Sequence, residues 1–208
     1  QIEDDLNFGA DKTMLWLGDS ITAAGTGPTV KTNQYDWRIW NYHKDKGRNV
    51  RMVNLSVSGS TSSQFERLRL RGHWDQPQVD HVYYSLGAND ASQAVPTATY
   101  KANVASAIAW KKARYPNATM TVFGMTPQEN NTNEANAAAM RTAASDAVTE
   151  AADPKVKFLN LGSAFDRTNT ANYASSDAAG NHIHPSDAGH SGIWAVLQPW
   201  LDANPVLA

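Results

Sequence analysis

Apolar runs alternate with segments of helical periodicity along this chain. Five short runs are rich in β-branched and aromatic residues, and each has the length of a buried strand. These runs lie at residues 13–17, 50–55, 79–86, 119–125 and 156–161. Between them, apolar residues recur every three or four positions, as they do along residues 97–114 and again near the C-terminus. The alternation predicts βαβ units.

Parallel strands need crossover connections, and right-handed crossovers place helices on both faces of the sheet. We therefore predict an α/β fold, a three-layer α/β/α sandwich around a parallel five-stranded sheet, in a single domain spanning residues 1–208. Asn133 is predicted to be the N-cap of an alanine-rich helix, and Pro154 marks the turn after its end. In open sheets of this kind, ligands bind at the carboxyl ends of the strands.

Charge and composition exclude several classes of function. The chain has 18 Lys and Arg against 20 Asp and Glu, a net charge of −2, and no basic run that would follow a phosphate backbone. No apolar run approaches the roughly 20 residues of a membrane span. We therefore expect a small-molecule or carbohydrate partner, no nucleic acid and no membrane; the oligomeric state is left open.

Two further features of the sequence bear on its environment. The chain has no cysteine, which excludes disulfides, thiolate metal sites and a cysteine nucleophile. It begins at Gln1 without Met, which suggests a processed precursor or a fragment of a longer chain. The location that we expect is extracellular or periplasmic.

Polar residues follow three of the predicted strands at the edge where ligands bind. Residues 18–20 follow the first strand, 54–61 the second and 87–90 the third, and the histidine-rich segment 181–190 precedes the last helix. A hydroxyl nucleophile needs a base, the base needs a group that orients it, and the oxyanion needs N–H donors. These segments contain all of the residue types that acyl transfer requires.

Four sequence blocks resemble a known family. "GDSIT" at 18–22, "NLSVSGSTS" at 54–62, "GAND" at 87–90 and "HPSDAGH" at 184–190 resemble, in order and spacing, the blocks of the GDSL or SGNH hydrolase superfamily. The resemblance implies a flavodoxin-like sheet. It also implies the activity of an esterase, lipase, thioesterase or carbohydrate deacetylase, with no metal or other cofactor.

The resemblance assigns a role to individual residues of the blocks. Ser20 is expected to be the nucleophile, and His184 the general base that takes its proton and returns it to the leaving alcohol. The oxyanion hole is expected to consist of the Gly59 N–H, the side-chain amide of Asn89 and the N–H of Ser20. Removing one such donor costs on the order of 10²–10³ in rate.

Other residues of the blocks are expected to be structural. Asp19 and Asp90 match the family pattern, and we expect them to brace their loops. Ser56 stands where the family usually has glycine. This change is tolerable if the backbone there does not require a positive φ.

The acid of the family precedes the catalytic histidine by three residues, and this chain has Asn181 at that position. An Asn oxygen can hold the imidazole ring but stabilises imidazolium less well than a carboxylate does, so activity is expected to be weakened. Three interpretations compete. A Ser-His dyad is oriented by Asn181 or a backbone carbonyl, or Asp177 or Asp187 acts instead, or the asparagine is an engineered substitution. The first is our working expectation.

Two further side-chain patterns allow alternatives. His182 and His184 form an H-x-H pair that, with His190 or Asp187, would resemble a metal site; we expect none, and for His190 a cap or packing role. Trp74, in a polar stretch, would suit either a cleft wall or a structural position.

The sequence as a whole favours a serine ester hydrolase that removes small, acetyl-like acyl groups from a carbohydrate. Its loops are rich in Asn, Ser, Thr and Gln, the polar loop 126–136 is a candidate cleft wall, and no apolar lid-like segment is evident. The alternative within enzymes is a lysophospholipase or thioesterase. Alternatives from other classes are a catalytically weakened sugar-binding module, suggested by Asn181, and a cofactor binder whose loop 18–27 holds a phosphate.

Overall fold

A five-stranded parallel sheet forms the centre of the molecule. The computed structural model describes residues 10–23 and 27–207. Its strand order is β2-β1-β3-β4-β5, and all pairings are parallel, as predicted for a flavodoxin-like sheet. The strands are β1 (Lys12–Gly18), β2 (Val50–Asn54), β3 (His81–Ser85), β4 (Thr119–Gly124) and β5 (Val156–Asn160).

Helices cover both faces of this sheet, which confirms the predicted α/β/α sandwich. The described residues form the helices α1 (Tyr35–Asp45), α2 (Ser62–Leu70), α3 (Ala88–Ser92), α4 (Thr97–Arg114), α5 (Asn131–Ala151) and α6 (Asp187–Ala203). Helices α1 and α6 pack on one face, and α2, α4 and α5 pack on the other. Within the described part of the chain, no helix is long and apolar enough to cross a membrane.

Strand β1 is buried on both faces. Met14 and Trp16 point to the layer of α1 and α6, and Leu15 and Leu17 point to the opposite layer. Successive side chains of a strand alternate between faces, so a strand with helices on both sides needs an unbroken apolar sequence. The continuous run along β1 is therefore a consequence of its central position.

An aromatic stack lies between the sheet and α1. The Trp16 ring stacks on Tyr83 with centroids 4.2 Å apart, and Tyr83 stacks on Phe123 at 5.7 Å. Tyr35 from α1 meets the edge of Trp16 at 5.5 Å, and its hydroxyl shares hydrogen bonds with Thr22 (2.5 Å) and with Ser85 (2.8 Å). The core on this face is thus joined to the loop that follows β1.

Two local predictions are decided by the structure. The expected N-cap at Asn133 is wrong: α5 begins at Asn131, because the side-chain oxygen of Asn130 accepts hydrogen bonds from the N–H groups of Thr132 and Asn133. Trp74 is structural, since it is buried in the core among aromatic rings.

We predict that Leu197→Ala lowers the free energy of unfolding by about 2–5 kcal/mol, because this side chain of α6 is fully buried and its truncation leaves a cavity. The matched control is Leu70→Ala, since Leu70 is 70% exposed; that change should stay within about 0.5 kcal/mol. Urea denaturation of the two variants measures both values. Equal losses would contradict the assignment of α6 to the core.

Candidate active site

The candidate site lies at the carboxyl end of β1. Strands β2 and β3 flank β1, so the connections from β1 and β3 leave toward opposite faces and open a crevice between them. Ser20 follows the end of β1, Gly59 lies in the loop after β2, and Asn89 lies in α3 directly after β3. The topology therefore brings the first three sequence blocks to one edge of the sheet.

The loop after β1 packs tightly against the loop after β2. A Cβ atom at Gly18 would lie 2.7 Å from Thr22 Oγ1 and 2.9 Å from Ser56 Oγ, so only glycine fits. Val57 N donates to Gly18 O at 2.9 Å and continues the contact of the second loop with β1. Among the described residues other than glycine, φ is positive only at Ala94 and Ala152, so Ser56 replaces the family glycine without strain.

Asn54 connects these loops to α1. Its side-chain amide donates to Thr22 O (2.9 Å) and to Asp36 Oδ2 (3.2 Å), and its oxygen accepts from Ser56 N (3.0 Å). Asp36 is fully buried, and burial raises the pKa of its carboxyl to about 7. One carboxyl oxygen, Oδ1, has no hydrogen-bond partner in the described part of the protein.

Two further buried carboxyl groups make the bracing contacts expected of them. Asp19 Oδ1 accepts from Ile21 N at 3.1 Å and stabilises the turn that presents Ser20. Asp90 accepts from both the N–H (2.8 Å) and the hydroxyl (2.6 Å) of Ser62, which joins α3 to the start of α2. Burial raises the pKa of Asp19 to about 7 and also raises that of Asp90.

A continuous chain of hydrogen bonds connects Ser20, His184 and Asp177. Ser20 Oγ lies 2.8 Å from His184 Nε2, and His184 Nδ1 lies 2.6 Å from Asp177 Oδ1. A neutral imidazole that donates from Nδ1 to the carboxylate has Nε2 free to accept the serine proton. The order hydroxyl, imidazole, carboxylate is that of a Ser-His-Asp triad.

The carboxylate of Asp177 also closes the loop that carries His184. Its Oδ2 atom accepts from the N–H groups of Ile183 (2.8 Å) and His184 (2.7 Å). Burial alone would raise the pKa of Asp177, but the hydrogen bonds from the His184 ring and from these two N–H groups outweigh it and hold the pKa below its ordinary value. The group is therefore an anion at neutral pH, held beside the imidazole.

The expectation that Asn181 orients His184 is wrong. The side chain of Asn181 is exposed, and its oxygen accepts from Asn133 Nδ2 at 3.0 Å, at the start of α5. The partner of His184 Nδ1 is Asp177, which precedes His184 by seven residues instead of three. A turn at Gly180, with φ of +76°, lies within the intervening segment that returns the chain to the carboxylate.

Asp187, the other acid considered, holds two segments together. Its carboxylate accepts from the N–H (3.1 Å) and hydroxyl (2.5 Å) of Thr29 and from Asn33 Nδ2 (3.0 Å). Nearby, a Cβ at Gly27 would lie 2.2 Å from Pro185 O. The segment after the Ser20 loop is thus packed directly against the residues that follow His184.

The three groups predicted for the oxyanion hole each retain an N–H with no acceptor in the described part of the chain. Asn89 Nδ2 donates to Ser60 O at 3.1 Å, which orients the amide and leaves its second N–H free. The N–H groups of Ser20 and Gly59 have no acceptor among the described residues. Gly59 has φ of +77°, a conformation that disfavours any side chain.

The segment 126–136, predicted to be a polar loop, is irregular only as far as Asn130 and then enters α5, and it contacts the histidine segment. His182 Nδ1 lies 2.6 Å from Glu129 Oε2, and Glu129 N donates to His182 O at 3.2 Å. His182 and His184 therefore each face a different carboxylate. Where the structure describes the chain, no three His, Asp or Glu side chains form a group that could hold a metal ion.

His190 has a packing role. The ring is fully buried and stacks on Tyr35 with centroids 5.8 Å apart, and burial lowers its pKa to about 3. Of the loop proposed for phosphate binding, residues 24–26 lie outside the described part of the chain.

Sequence comparison places this site in a family. A model of the GDSL-like lipase/acylhydrolase family matches residues 16–191. The chain belongs to this family and is an ester hydrolase of the esterase or acylhydrolase class, for which a serine nucleophile is expected. No curated protein matches the sequence.

Solved structures share the fold. TesA is 24% identical, with 94% of this chain and 100% of that chain covered and a TM-score of 0.70. A variant of Axe2, an acetyl-xylooligosaccharide esterase from Geobacillus stearothermophilus, is 19% identical, with coverage of 93% and 95% and a TM-score of 0.69. The psychrotrophic esterase EstA from Pseudoalteromonas sp. is 20% identical, with coverage of 92% and 100% and a TM-score of 0.66.

We predict that Asp36→Asn changes how stability depends on pH. Because the folded-state pKa of Asp36 is raised to about 7, the folded protein retains a proton that the unfolded chain releases from about pH 4 upward, so the wild type loses stability as pH rises through this range. The substituted amide does not titrate. The variant should gain up to about 1.4 kcal/mol per pH unit relative to the wild type. Urea denaturation from pH 4 to 8 tests this, and parallel curves would contradict it.

We predict that Asp177→Asn lowers kcat by on the order of 10⁴ with little change in KM, because it removes the charge that stabilises the imidazolium and favours the wrong ring tautomer. Asn181→Ala is the matched control and should leave kcat almost unchanged, since Asn181 contacts Asn133 and not the ring. Hydrolysis of p-nitrophenyl acetate measures both. A loss at Asn181 as large as that at Asp177 would overturn the assignment.

Proposed function

We propose that the protein is a serine esterase that removes small, acetyl-like acyl groups from a carbohydrate or a similarly hydroxylated substrate. The observation that carries the proposal is the hydrogen-bonded chain from Ser20 through His184 to Asp177, with distances of 2.8 and 2.6 Å. This geometry activates a hydroxyl for attack on an ester, and the family is one of acylhydrolases.

The first half of the reaction forms an acyl-enzyme. Ser20 Oγ attacks the carbonyl carbon of the ester while His184 Nε2 takes the hydroxyl proton, and the carboxylate of Asp177 stabilises the imidazolium. When the tetrahedral intermediate collapses, the bond to the leaving oxygen breaks and His184 donates its proton to the alcohol. The products are the free hydroxyl compound and an acyl group on Ser20.

The second half releases the acid. A water molecule attacks the acyl carbon, His184 takes its proton, and the bond to Ser20 Oγ breaks as the proton returns to that oxygen. In both halves the N–H groups of Ser20 and Gly59 and the free amide N–H of Asn89 would stabilise the oxyanion. Their lack of other acceptors in the described part of the protein supports this role.

The surroundings of the site support a hydroxylated substrate. The segment 126–136 and the turn around Asn181 carry exposed amide and hydroxyl groups next to the histidine segment, and such groups suit hydrogen bonding to sugar hydroxyls. Axe2, which shares the fold, is an acetyl-xylooligosaccharide esterase. The sugar-binding module without catalysis was suggested by a missing acid, and Asp177 now supplies a carboxylate at His184.

Esters of longer acyl chains are the second candidate substrates, as in a lysophospholipase or thioesterase. Val57, in the loop of Gly59, and Val30, next to Thr29, are large apolar side chains that are more than two-fifths exposed. Both lie in loops that contribute to the site or contact its neighbouring segment, and there they offer apolar contact to a longer acyl chain.

Two measurements test the proposal. A fluorophosphonate should label Ser20, as located by mass mapping, and labelling should be lost in Ser20→Ala but retained in the matched control Ser56→Ala. Acetate release from acetylated sugars should then exceed hydrolysis of long-chain thioesters and lysolipids in kcat/KM. Labelling elsewhere would overturn the role of Ser20, and a preference for long chains would favour the second candidate.

A further inference from the structure

A second surface feature lies apart from the triad, between α1 and α6. It is a groove with a volume of about 500 Å³, lined by polar, charged and aromatic side chains from both helices and from residues 32–33, which precede α1. None of the residues assigned above to catalysis lines it. The volume falls within the range of small-ligand sites.

Hydrogen bonds across the groove hold its two ends. At one end Arg38 Nη2 donates to Ser191 Oγ at 3.2 Å. At the other end the Tyr42 hydroxyl (2.7 Å) and Lys46 Nζ (3.3 Å) donate to Asp202 Oδ1. These contacts bridge α1 and α6 and keep the lining side chains in place.

Between these ends the groove offers unused polar groups beside an aromatic ring. The amides of Asn41 and Gln198 line it and have no hydrogen-bond partner where the chain is described. Trp194 also lines the groove; its side chain is half-buried and meets the Tyr42 ring with centroids 6.1 Å apart at 67°. An amide supplies donors and an acceptor in one plane, and an indole supplies an apolar face, which together suit a ligand with hydroxyl groups and C–H faces.

The charges of the groove balance. Arg38 and Lys46 are matched by Asp45 and Asp202, so the lining has no net charge. A phosphate or an acidic polymer would gain nothing from this arrangement. The chemistry therefore favours a neutral polyhydroxylated chain over an anionic ligand.

One end of the groove adjoins the catalytic segment. Asn33, which lines that end, donates to Asp187 at 3.0 Å, and Asp187 follows His184 by three residues. Trp194 lies about 10 Å further along α6, at 1.5 Å per residue. A chain of several sugar units would extend over this distance.

We propose that the groove between α1 and α6 is a remote subsite for a neutral oligosaccharide, part of the same polymer whose ester group is hydrolysed at Ser20. The proposal rests on the proposed function and deepens it, because it makes the substrate an acylated oligosaccharide chain instead of an acylated monosaccharide. The groove binds unsubstituted sugar units on one side of the reacting ester.

The first experiment measures binding without turnover. Unacetylated xylohexaose and cellohexaose are titrated calorimetrically into the wild-type protein, Asn41→Ala/Gln198→Ala and the control Asn117→Ala, an exposed amide in the turn between α4 and β4 that does not line the groove. Losing the two amides should weaken binding of one or both sugars about tenfold, because the hydrogen bonds from these amides to sugar hydroxyls are removed. The control should bind as the wild type does.

Three outcomes of this titration overturn the subsite. They are no binding of either hexasaccharide at millimolar concentration, equal binding by the groove variant and the wild type, and stronger binding of hexagalacturonate than of the neutral sugars. The last would show that the groove selects negative charge.

The second experiment separates the subsite from the proposed function. The ratio of kcat/KM on acetylated xylo-oligosaccharide to kcat/KM on p-nitrophenyl acetate should fall about tenfold in the groove variant, through KM, and should not change in Asn117→Ala. An unchanged ratio in an active enzyme overturns the subsite alone. If the wild type releases no acetate from the oligosaccharide, the proposed function fails, and the titration still decides whether the groove binds sugar.

Discussion

The carboxylate of Asp177 is the group on which the site depends. It accepts three hydrogen bonds, one from the ring of His184 and two from the backbone N–H groups of Ile183 and His184. The same anion therefore shapes the loop, orients the imidazole and supplies the charge that imidazolium formation needs. Because these contacts also keep its pKa below the ordinary value, the carboxylate is charged at neutral pH.

The rest of the fold brings Ser20 to the hydrogen-bonded pair of Asp177 and His184. Burial of β1 on both faces fixes the end of the strand, and the lack of a side chain at Gly18 allows the loop after β2 to pack closely against it. Asp19 stabilises the turn that presents the Ser20 hydroxyl. Asp187 then holds the segment beyond that loop against the start of α6. Each of these contacts joins residues far apart in sequence or closes a turn, so the alignment of hydroxyl and imidazole is a property of the whole sandwich.

Most of the fold and half of the site could be predicted from the sequence, for physical reasons. The inner strands are buried on both faces and need nearly continuous apolar runs, and the edge strands β2 and β5 keep apolar residues at their buried positions. All five strands and the layered sandwich could therefore be predicted from the pattern. Ser20 and His184 were predicted because they lie in recognisable blocks. Asp177 was one of the acids considered as the partner of His184, but the working expectation was Asn181 or a backbone carbonyl, because spacing along the chain does not show how a loop turns. Nor does it show that Asn181 bonds to Asn133, 48 residues away.

The loop that contains both Asp177 and His184 has a consequence for how this site forms. Bringing two groups seven residues apart into contact costs little chain entropy, because the loop that closes is short. Only the approach of Ser20, 164 residues away, must be supplied by tertiary structure. The contact between acid and base thus closes within one short loop. The length of such a loop and the position of its acid can change while the serine, the sheet and the oxyanion donors remain where they are.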